Sequence, residues 1–139
     1  MDSIIKKYEG CRLKSYRCPA GKMTIGWGNT EYPDGSPIKA NDIITQSYAD
    51  ALLLDYVIKN VYPVFKKIQY DLTLDQRRAI ASLVYNVGTT SFLRSKLYKA
   101  ICAKDYAEVC RQWDFGFKQN LKGLFKRRTE ELYLFIKDI

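Results

Sequence analysis

Three side chains near the N-terminus could carry acid–base or nucleophilic chemistry: Glu9, Cys18 and Thr24. A protonated glutamic acid can act as a general acid, a cysteine thiolate is a nucleophile, and a threonine hydroxyl both donates and accepts hydrogen bonds. Each residue type is ordinary by itself, and a lone glutamate is usually a solvated surface residue. A catalytic interpretation therefore depends on reading the three together, with eight residues between the first two and five between the last two.

Histidine is absent from the 139 residues. This excludes Ser-His-Asp and Cys-His catalysis, HExxH metalloproteases and His-ligated zinc, so acid–base chemistry must use carboxylates, Lys, Tyr, Cys or Thr. The four cysteines contain no CxxC pair, and we therefore expect no metal site and no cofactor. Cys102 and Cys110 are predicted to be small buried apolar side chains.

The chain is strongly basic, with 23 Lys and Arg against 15 Asp and Glu, a formal charge of +8. Such an excess favours a polyanionic partner, either nucleic acid, an anionic membrane surface or an acidic cell-wall polymer. The cationic residues are scattered and form no recognition motif, which argues against nucleic acid. Membrane disruption by a basic, amphipathic C-terminal helix is a separate alternative.

Local signals predict an α+β fold in which most glycines and prolines lie between residues 10 and 37. A short helix should run from Ser3 to Glu9, followed by a β-hairpin that turns at residues 18–21. Large apolar side chains then alternate with Thr24, Gly26 and Gly28. The nearly bare second face is typical of a place where a ligand or another backbone approaches closely.

Helical periodicity begins near residue 45 and continues to the end of the chain. Pro63 should limit the first helix, and Thr73 to Gln76 form a capping box that opens another. The last helix should cover about residues 122–135, with an apolar stripe that faces the core. The members of that stripe are Leu121, Leu124, Phe125, Leu132, Phe135 and Ile136.

The order of these motifs resembles the phage-type lysozymes, the endolysins of glycoside hydrolase family 24. Glu9, Cys18 and Thr24 match the family pattern E-x8-(D or C)-x5-T. Residues 5–13 resemble its I-x-x-(F or Y)-E-G-x-R-L segment, and residues 24–30 its T-I-G-Y-G-H-T strand. Further along, residues 83–88 resemble the F-N-x-G helix end and residues 123–128 the G-L-x-R-R-R helix.

The resemblance implies a single lysozyme-like domain over residues 1–139. A hairpin lobe would cover about residues 11–37, and residues 1–10 and 45–139 would form a mainly helical part. The implied catalytic residues are Glu9, as a general acid whose pKa burial should raise, Cys18 and Thr24. Cys18 could be a thiolate nucleophile, a thiolate stabiliser or a thiol that positions water, and nearby cations such as Arg17 could lower its pKa.

Other positions that match the family are assigned lesser roles. Tyr85, Asn86, Ser95 and Gly28 would contact substrate, although the first three could simply pack. Asn29 stands where the family usually has histidine, and we expect it to affect packing. Arg127 and Arg128 are predicted to be solvated, and the alternative is that one of them reaches towards Glu9.

The implied function is a muramidase that cleaves the β-1,4 bond between N-acetylmuramic acid and N-acetylglucosamine, in a phage or prophage endolysin. A lytic transglycosylase acting on the same bond is the alternative within the enzymes. The N-terminus lacks the pattern of a signal peptide, so we expect synthesis in the host cytoplasm and release through a holin-type partner. A monomer that binds peptidoglycan, with no nucleic acid, is expected.

Overall fold

Two antiparallel strands, eight α-helices and one π-helical turn make up the regular structure in a computed structural model that describes residues 1–113 and 121–139. This confirms the predicted α+β class. Contacts divide the chain into two units, which we call the hairpin unit (Ile5–Lys59) and the helical unit (Met1–Ile4 with Asn60–Ile139). The single domain inferred from the sequence stays a prediction.

The hairpin unit begins with most of helix α1 (Ser3–Glu9), which ends where Gly10 adopts a φ of +69°. Strands β1 (Arg12–Arg17) and β2 (Met23–Gly26) then form the antiparallel hairpin. Its turn is closed by the Cys18 amide, which donates to the Lys22 carbonyl over 2.9 Å. The predicted helix, turn and hairpin are therefore confirmed, because each depends on signals within a few residues.

Strand β2 is shorter than the alternation predicts. The backbones of Ile25 and Asn29 exchange two hydrogen bonds of 2.9 Å, which close a tight loop over the three residues between them. Gly26 and Gly28 have φ values of +66° and +94° in that loop, a conformation that favours glycine. A Cβ on Gly26 would also lie 3.5 Å from the Ala49 Cβ. That distance is an ordinary van der Waals contact, so the positive φ of the turn accounts for Gly26.

Helix α2 (Gln46–Tyr56) follows, with the Thr45 hydroxyl accepting from the Tyr48 amide as its N-cap. Ile25, Ile38 and Leu52 form a buried hydrophobic cluster in the hairpin unit. The far edge of β1 pairs with residues 42–44, since the Ile44 amide donates to the Leu13 carbonyl over 2.8 Å. The β part of the chain therefore extends beyond residue 37.

A π-helical turn (Val57–Val61) follows α2. Helix α3 (Tyr62–Lys67) then begins with Pro63 in its first turn, where a missing amide hydrogen has no cost. The predicted capping box of Thr73 and Gln76 opens α4 (Leu74–Val87). The remaining helices are α5 (Thr89–Leu93), α6 (Lys96–Cys102), α7 (Tyr106–Gln112) and α8 (Leu121–Ile136).

Helix α8 packs against α4 through a face that differs from the predicted apolar stripe. Arg127 and Arg128 are each 3 % exposed and Glu131 is 0 % exposed, whereas Phe125 is 58 % exposed. The predicted stripe is therefore wrong for Phe125, although Phe135 is buried. Polar partners supplied by other helices make this burial possible. The side chain of Leu121, the first residue of the predicted stripe, lies outside the described part of the structure.

Two smaller expectations about side chains are also wrong. Cys102 and Cys110 are exposed, because each lies on the outer side of a short helix, and all four cysteines are free thiols.

In the described segments, none of the helices has the length and hydropathy that crossing a bilayer requires.

Candidate functional site

Glu9 is the last residue of α1, and its side chain is half-buried. Its charge raises the pKa of two tyrosines of the same unit, Tyr56 and Tyr16. Burial raises the pKa of Tyr56, and the carboxylates of Glu31 and Glu9 add to that effect. The Glu9 carboxylate therefore helps to keep both phenols protonated at neutral pH.

Cys18 begins the turn between the two strands, and Thr24 lies on β2. A hydrogen bond from the Lys22 backbone lowers the pKa of the Cys18 thiol, and the backbone at Ala20 and the Thr24 hydroxyl act in the same direction. The turn thus points donors at the sulfur, which favours the thiolate. The largest effect on the pKa of Cys18 comes from the Lys22 backbone and not from Arg17, the cation that the sequence suggested.

Thr24 is only 3 % exposed, and its hydroxyl donates to the Lys22 carbonyl over 3.0 Å. A hydroxyl carries one proton, so it can donate either to that carbonyl or to the Cys18 sulfur. When Cys18 is a thiol, the sulfur can donate to Thr24. Donation to the sulfur in place of the Lys22 carbonyl would stabilise the Cys18 thiolate, which agrees with the direction in which Thr24 shifts the pKa of Cys18.

Tyr16 connects the predicted catalytic residues, and the sequence analysis did not single it out. It lies directly opposite Thr24 in the hairpin. Burial raises the pKa of Tyr16, the Arg12 guanidinium 4.6 Å from its ring opposes this, and Glu9 and Cys18 raise it further. Thr24 thus lies opposite Tyr16 in the hairpin, and the charges of Glu9 and Cys18 both act on the Tyr16 phenol. Its place two residues before Cys18, on the same side of the strand, was the available signal.

The candidate substrate residues lie in different surroundings. Gly28 is in the hairpin loop, and Tyr85 and Asn86 are near the end of α4. Ser95 is 6 % exposed and caps α6: its hydroxyl donates to the Phe92 carbonyl over 2.6 Å and accepts from the Tyr98 amide. That proton is already used, so a substrate contact of Ser95 stays a prediction.

Asn29 is buried, and its amide donates to the Leu52 carbonyl over 3.4 Å. Within residues 1–113 and 121–139, no hydrogen-bond donor reaches its Oδ1 atom. This placement suits the expected packing role.

A buried polar cluster in the helical unit was missed by the sequence analysis. Arg127 Nε lies 3.3 Å from Glu131 Oε2, and Arg128 Nη1 lies 3.1 Å from Glu131 Oε1. The Ser82 hydroxyl donates to Glu131, and the Trp113 indole donates to it over 3.3 Å. Burial raises the pKa of Glu131, and Arg128, Ser82 and Arg127 oppose that rise.

The prediction that both arginines are solvated is therefore wrong. The three- and four-residue spacings from the arginines to Glu131 were the available signal, because such pairs meet on a helix face. The alternative, that one arginine reaches Glu9, stays a prediction. Among the described side chains, no group of three or more potential ligands could hold a metal ion.

The Cys18 environment leads to a testable pH dependence. The pKa of Cys18 is lowered, so its alkylation by iodoacetamide should reach half of its maximal rate at a pH below that of an ordinary cysteine. Thr24→Val removes one hydrogen bond to the thiolate and should move that midpoint upward. Alkylation across a pH series, followed by peptide mass spectrometry at Cys18, measures it.

Thr30→Val is the matched control, because Thr30 is an exposed threonine of the same unit. It should leave the midpoint unchanged. An unchanged midpoint in Thr24→Val would show that this hydroxyl does not contribute to the stability of the thiolate.

Comparison with known proteins supplies the context for this site. Residues 6–131 match the family model described as phage lysozyme. The chain is 37 % identical to an endolysin of Acyrthosiphon pisum secondary endosymbiont phage 1, covering 95 % of this chain and 92 % of that protein.

Two solved structures are similar to the chain. One is an endolysin from Escherichia coli O157:H7 phage FAHEc1, with a TM-score of 0.86, 30 % identity and coverage of 99 % and 90 % of the two chains. The other is the muramidase domain of SpmX from Asticaccaulis excentricus, with a TM-score of 0.81, 26 % identity and coverage of 96 % and 92 %.

Proposed function

The chain belongs to the phage lysozyme family, and on that premise we propose that it is a peptidoglycan hydrolase of the endolysin type. Its reaction would be that of a muramidase, hydrolysis of the β-1,4 bond between N-acetylmuramic acid and N-acetylglucosamine. The observation that supports the proposal is that Tyr16, which lies opposite Thr24 in the hairpin, is affected by the charges of both Glu9 and Cys18.

In the proposed reaction, Glu9 is the general acid. It transfers its proton to the glycosidic oxygen as the bond from that oxygen to the anomeric carbon breaks. Positive charge develops on the sugar ring, and a second group on the other side of the ring must stabilise or attack it. The Cys18 thiolate is that group in this proposal, and its lowered pKa supports the role.

Two routes complete the reaction. In the first, the thiolate attacks the anomeric carbon to form a C–S bond, and water later breaks that bond while the Glu9 carboxylate takes the water proton. In the second, water attacks directly and the thiolate takes its proton or stabilises the developing charge. Thr24 would hold either the thiolate or the water, since its hydroxyl can donate and accept.

Substrate contacts are proposed for Gly28, Tyr85, Asn86 and Ser95. An aromatic ring such as Tyr85 can stack on a sugar face, and an amide such as Asn86 can bind a polar sugar edge. Peptide-stem carboxylates of the wall carry negative charge, so the net charge of +8 would attract the protein to this polymer.

Access to the wall is proposed to follow permeabilisation of the host membrane by a holin-type partner, after synthesis in the cytoplasm. We further propose that the protein acts as a monomer and binds no nucleic acid. The burial of Arg127 and Arg128 argues against membrane disruption by α8, because that mechanism needs those cations on an exposed face.

Clearing of a peptidoglycan suspension tests the proposed function. Purified, protein-free peptidoglycan should lose turbidity and gain reducing ends when the protein is added. Raising the ionic strength from about 0.01 M to 0.15 M shortens the Debye length roughly fourfold, so the initial rate should fall. Release of reducing ends that stays at the level of buffer alone would contradict the proposal.

A further inference from the structure

Asn86 is an exposed residue of α4 whose amide orientation is set by a buried arginine. Arg128 Nη2 donates to Asn86 Oδ1 over 2.8 Å, while the Arg128 side chain is 3 % exposed. A guanidinium has donors and no acceptor, so it can bind only the oxygen of the amide. The Asn86 NH2 group must then point away from Arg128, as a pair of donors.

Arg128 is itself held by Glu131. Arg128 Nη1 lies 3.1 Å from Glu131 Oε1, and the Glu131 side chain is 0 % exposed. Glu131 cannot move independently, because it is also bound by Arg127, Ser82 and the Trp113 indole. A buried, multiply bonded carboxylate therefore fixes the guanidinium that orients Asn86.

The Arg127 side chain shows that this cluster connects two helices. Its Nη2 atom donates to the Ser82 carbonyl of α4 over 2.9 Å, and its Nε atom donates to the Ser82 hydroxyl over 3.1 Å. Ser82 lies one helical turn before Asn86 on the same helix. The cluster thus fixes both the Asn86 amide and the stretch of α4 that bears it.

We propose that Glu131 is a positioning residue, which acts through Arg128 to present the Asn86 NH2 group to an acceptor oxygen of the glycan. The acetamido carbonyl of the amino sugars is the class of acceptor that such a donor pair fits. This inference rests on the proposed function for its substrate, but the orientation of Asn86 can be tested without any catalysis.

A double-mutant cycle on KM tests the proposal. Glu131→Gln keeps the size of the side chain but removes its charge, so Asn86 should lose its orientation and KM for soluble wall fragments should rise about tenfold, with kcat changed less than about threefold. Asn86→Ala should raise KM by a similar factor. The double variant should be no worse than Asn86→Ala alone, because both changes remove one interaction.

Glu130→Gln is the matched control on the same helix and should leave KM unchanged. Multiplicative effects, with KM about a hundredfold higher in the double variant, would overturn the proposal by showing that Glu131 acts elsewhere. An unchanged KM in Asn86→Ala would also overturn it.

A second measurement reports on orientation directly. The side-chain amide of Asn86 gives a pair of 1H–15N NMR signals, which Asn86→Ala identifies by their disappearance. In Glu131→Gln, or in Arg128→Lys if that variant does not fold, these signals should move towards the shifts of a freely rotating asparagine. Unchanged Asn86 signals in a folded variant would overturn the proposal. If the signals move in the variant but the wild-type protein hydrolyses no peptidoglycan, only the proposed function is contradicted.

Discussion

Glu9→Gln is expected to lose between about a hundredfold and ten-thousandfold of the rate of peptidoglycan hydrolysis, the range that a positioned general acid contributes. Glutamine has nearly the same shape as glutamic acid but has no proton to give to the leaving oxygen. The loss should appear in kcat, with KM changed little, because substrate contacts remain. Release of reducing ends from purified peptidoglycan measures it.

Glu31→Gln is the control for this experiment, since Glu31 is an exposed glutamate of the same unit. It should retain wild-type activity within about twofold, as surface substitutions usually do. The Glu9→Gln protein should also unfold at the wild-type urea concentration and still bind the wall. Hydrolysis by Glu9→Gln at the wild-type rate would remove Glu9 from the mechanism.

Glu131→Ala is expected to have the largest effect on stability, lowering the free energy of unfolding by about 3–5 kcal/mol. The substitution removes the carboxylate that compensates Arg127 and Arg128, which are each 3 % exposed. Taking away one member of a buried ion cluster leaves the desolvation cost of the others in place. Urea unfolding followed by tryptophan fluorescence measures the change.

Two comparisons make this prediction specific to burial and charge. Glu130→Ala changes the neighbouring, half-buried glutamate and should cost less than about 1 kcal/mol. Combining Glu131→Ala with methionine at both arginines should restore part of the lost stability, because it removes the two buried charges that Glu131→Ala leaves without a carboxylate. A Glu131→Ala protein as stable as the Glu130→Ala protein would contradict this account of the cluster.

The features that the sequence predicted well are those determined by neighbouring residues. The end of α1 follows from the positive φ of Gly10, and the start of α4 from the capping box of Thr73 and Gln76. The hairpin follows from a turn between two alternating segments. Glu9 and Thr24 also belong to one short stretch of chain, and their catalytic roles stay predictions.

Burial of polar groups on α8 could not be predicted in the same way. Arg127 and Glu131 are stabilised in the core by Ser82 and Trp113, which are distant in sequence. A periodic pattern reports only that a helix has two faces, and it assigns the charged one to solvent. The partners that reverse this assignment come from tertiary packing.

The chemistry of Cys18 shows the same division between local and spatial information. Residues 18–21 predict its position in a turn, and the sequence suggests only that cations such as Arg17 could lower its pKa. The backbone at Lys22 and the Thr24 hydroxyl are the donors that the structure places at the sulfur. The direction of a backbone amide is a property of turn geometry, and residue types alone do not reveal it.

The chemical identity of the new chain end tests the central claim most directly. Purified peptidoglycan digested by the wild type is reduced with borohydride and analysed by mass spectrometry. A muramidase leaves N-acetylmuramic acid at the reducing end, so muramitol-ended muropeptides are expected, and Glu9→Gln should produce almost none. Anhydromuramyl ends would instead identify a lytic transglycosylase, and N-acetylglucosaminitol ends or cleaved peptide stems would contradict the proposed bond.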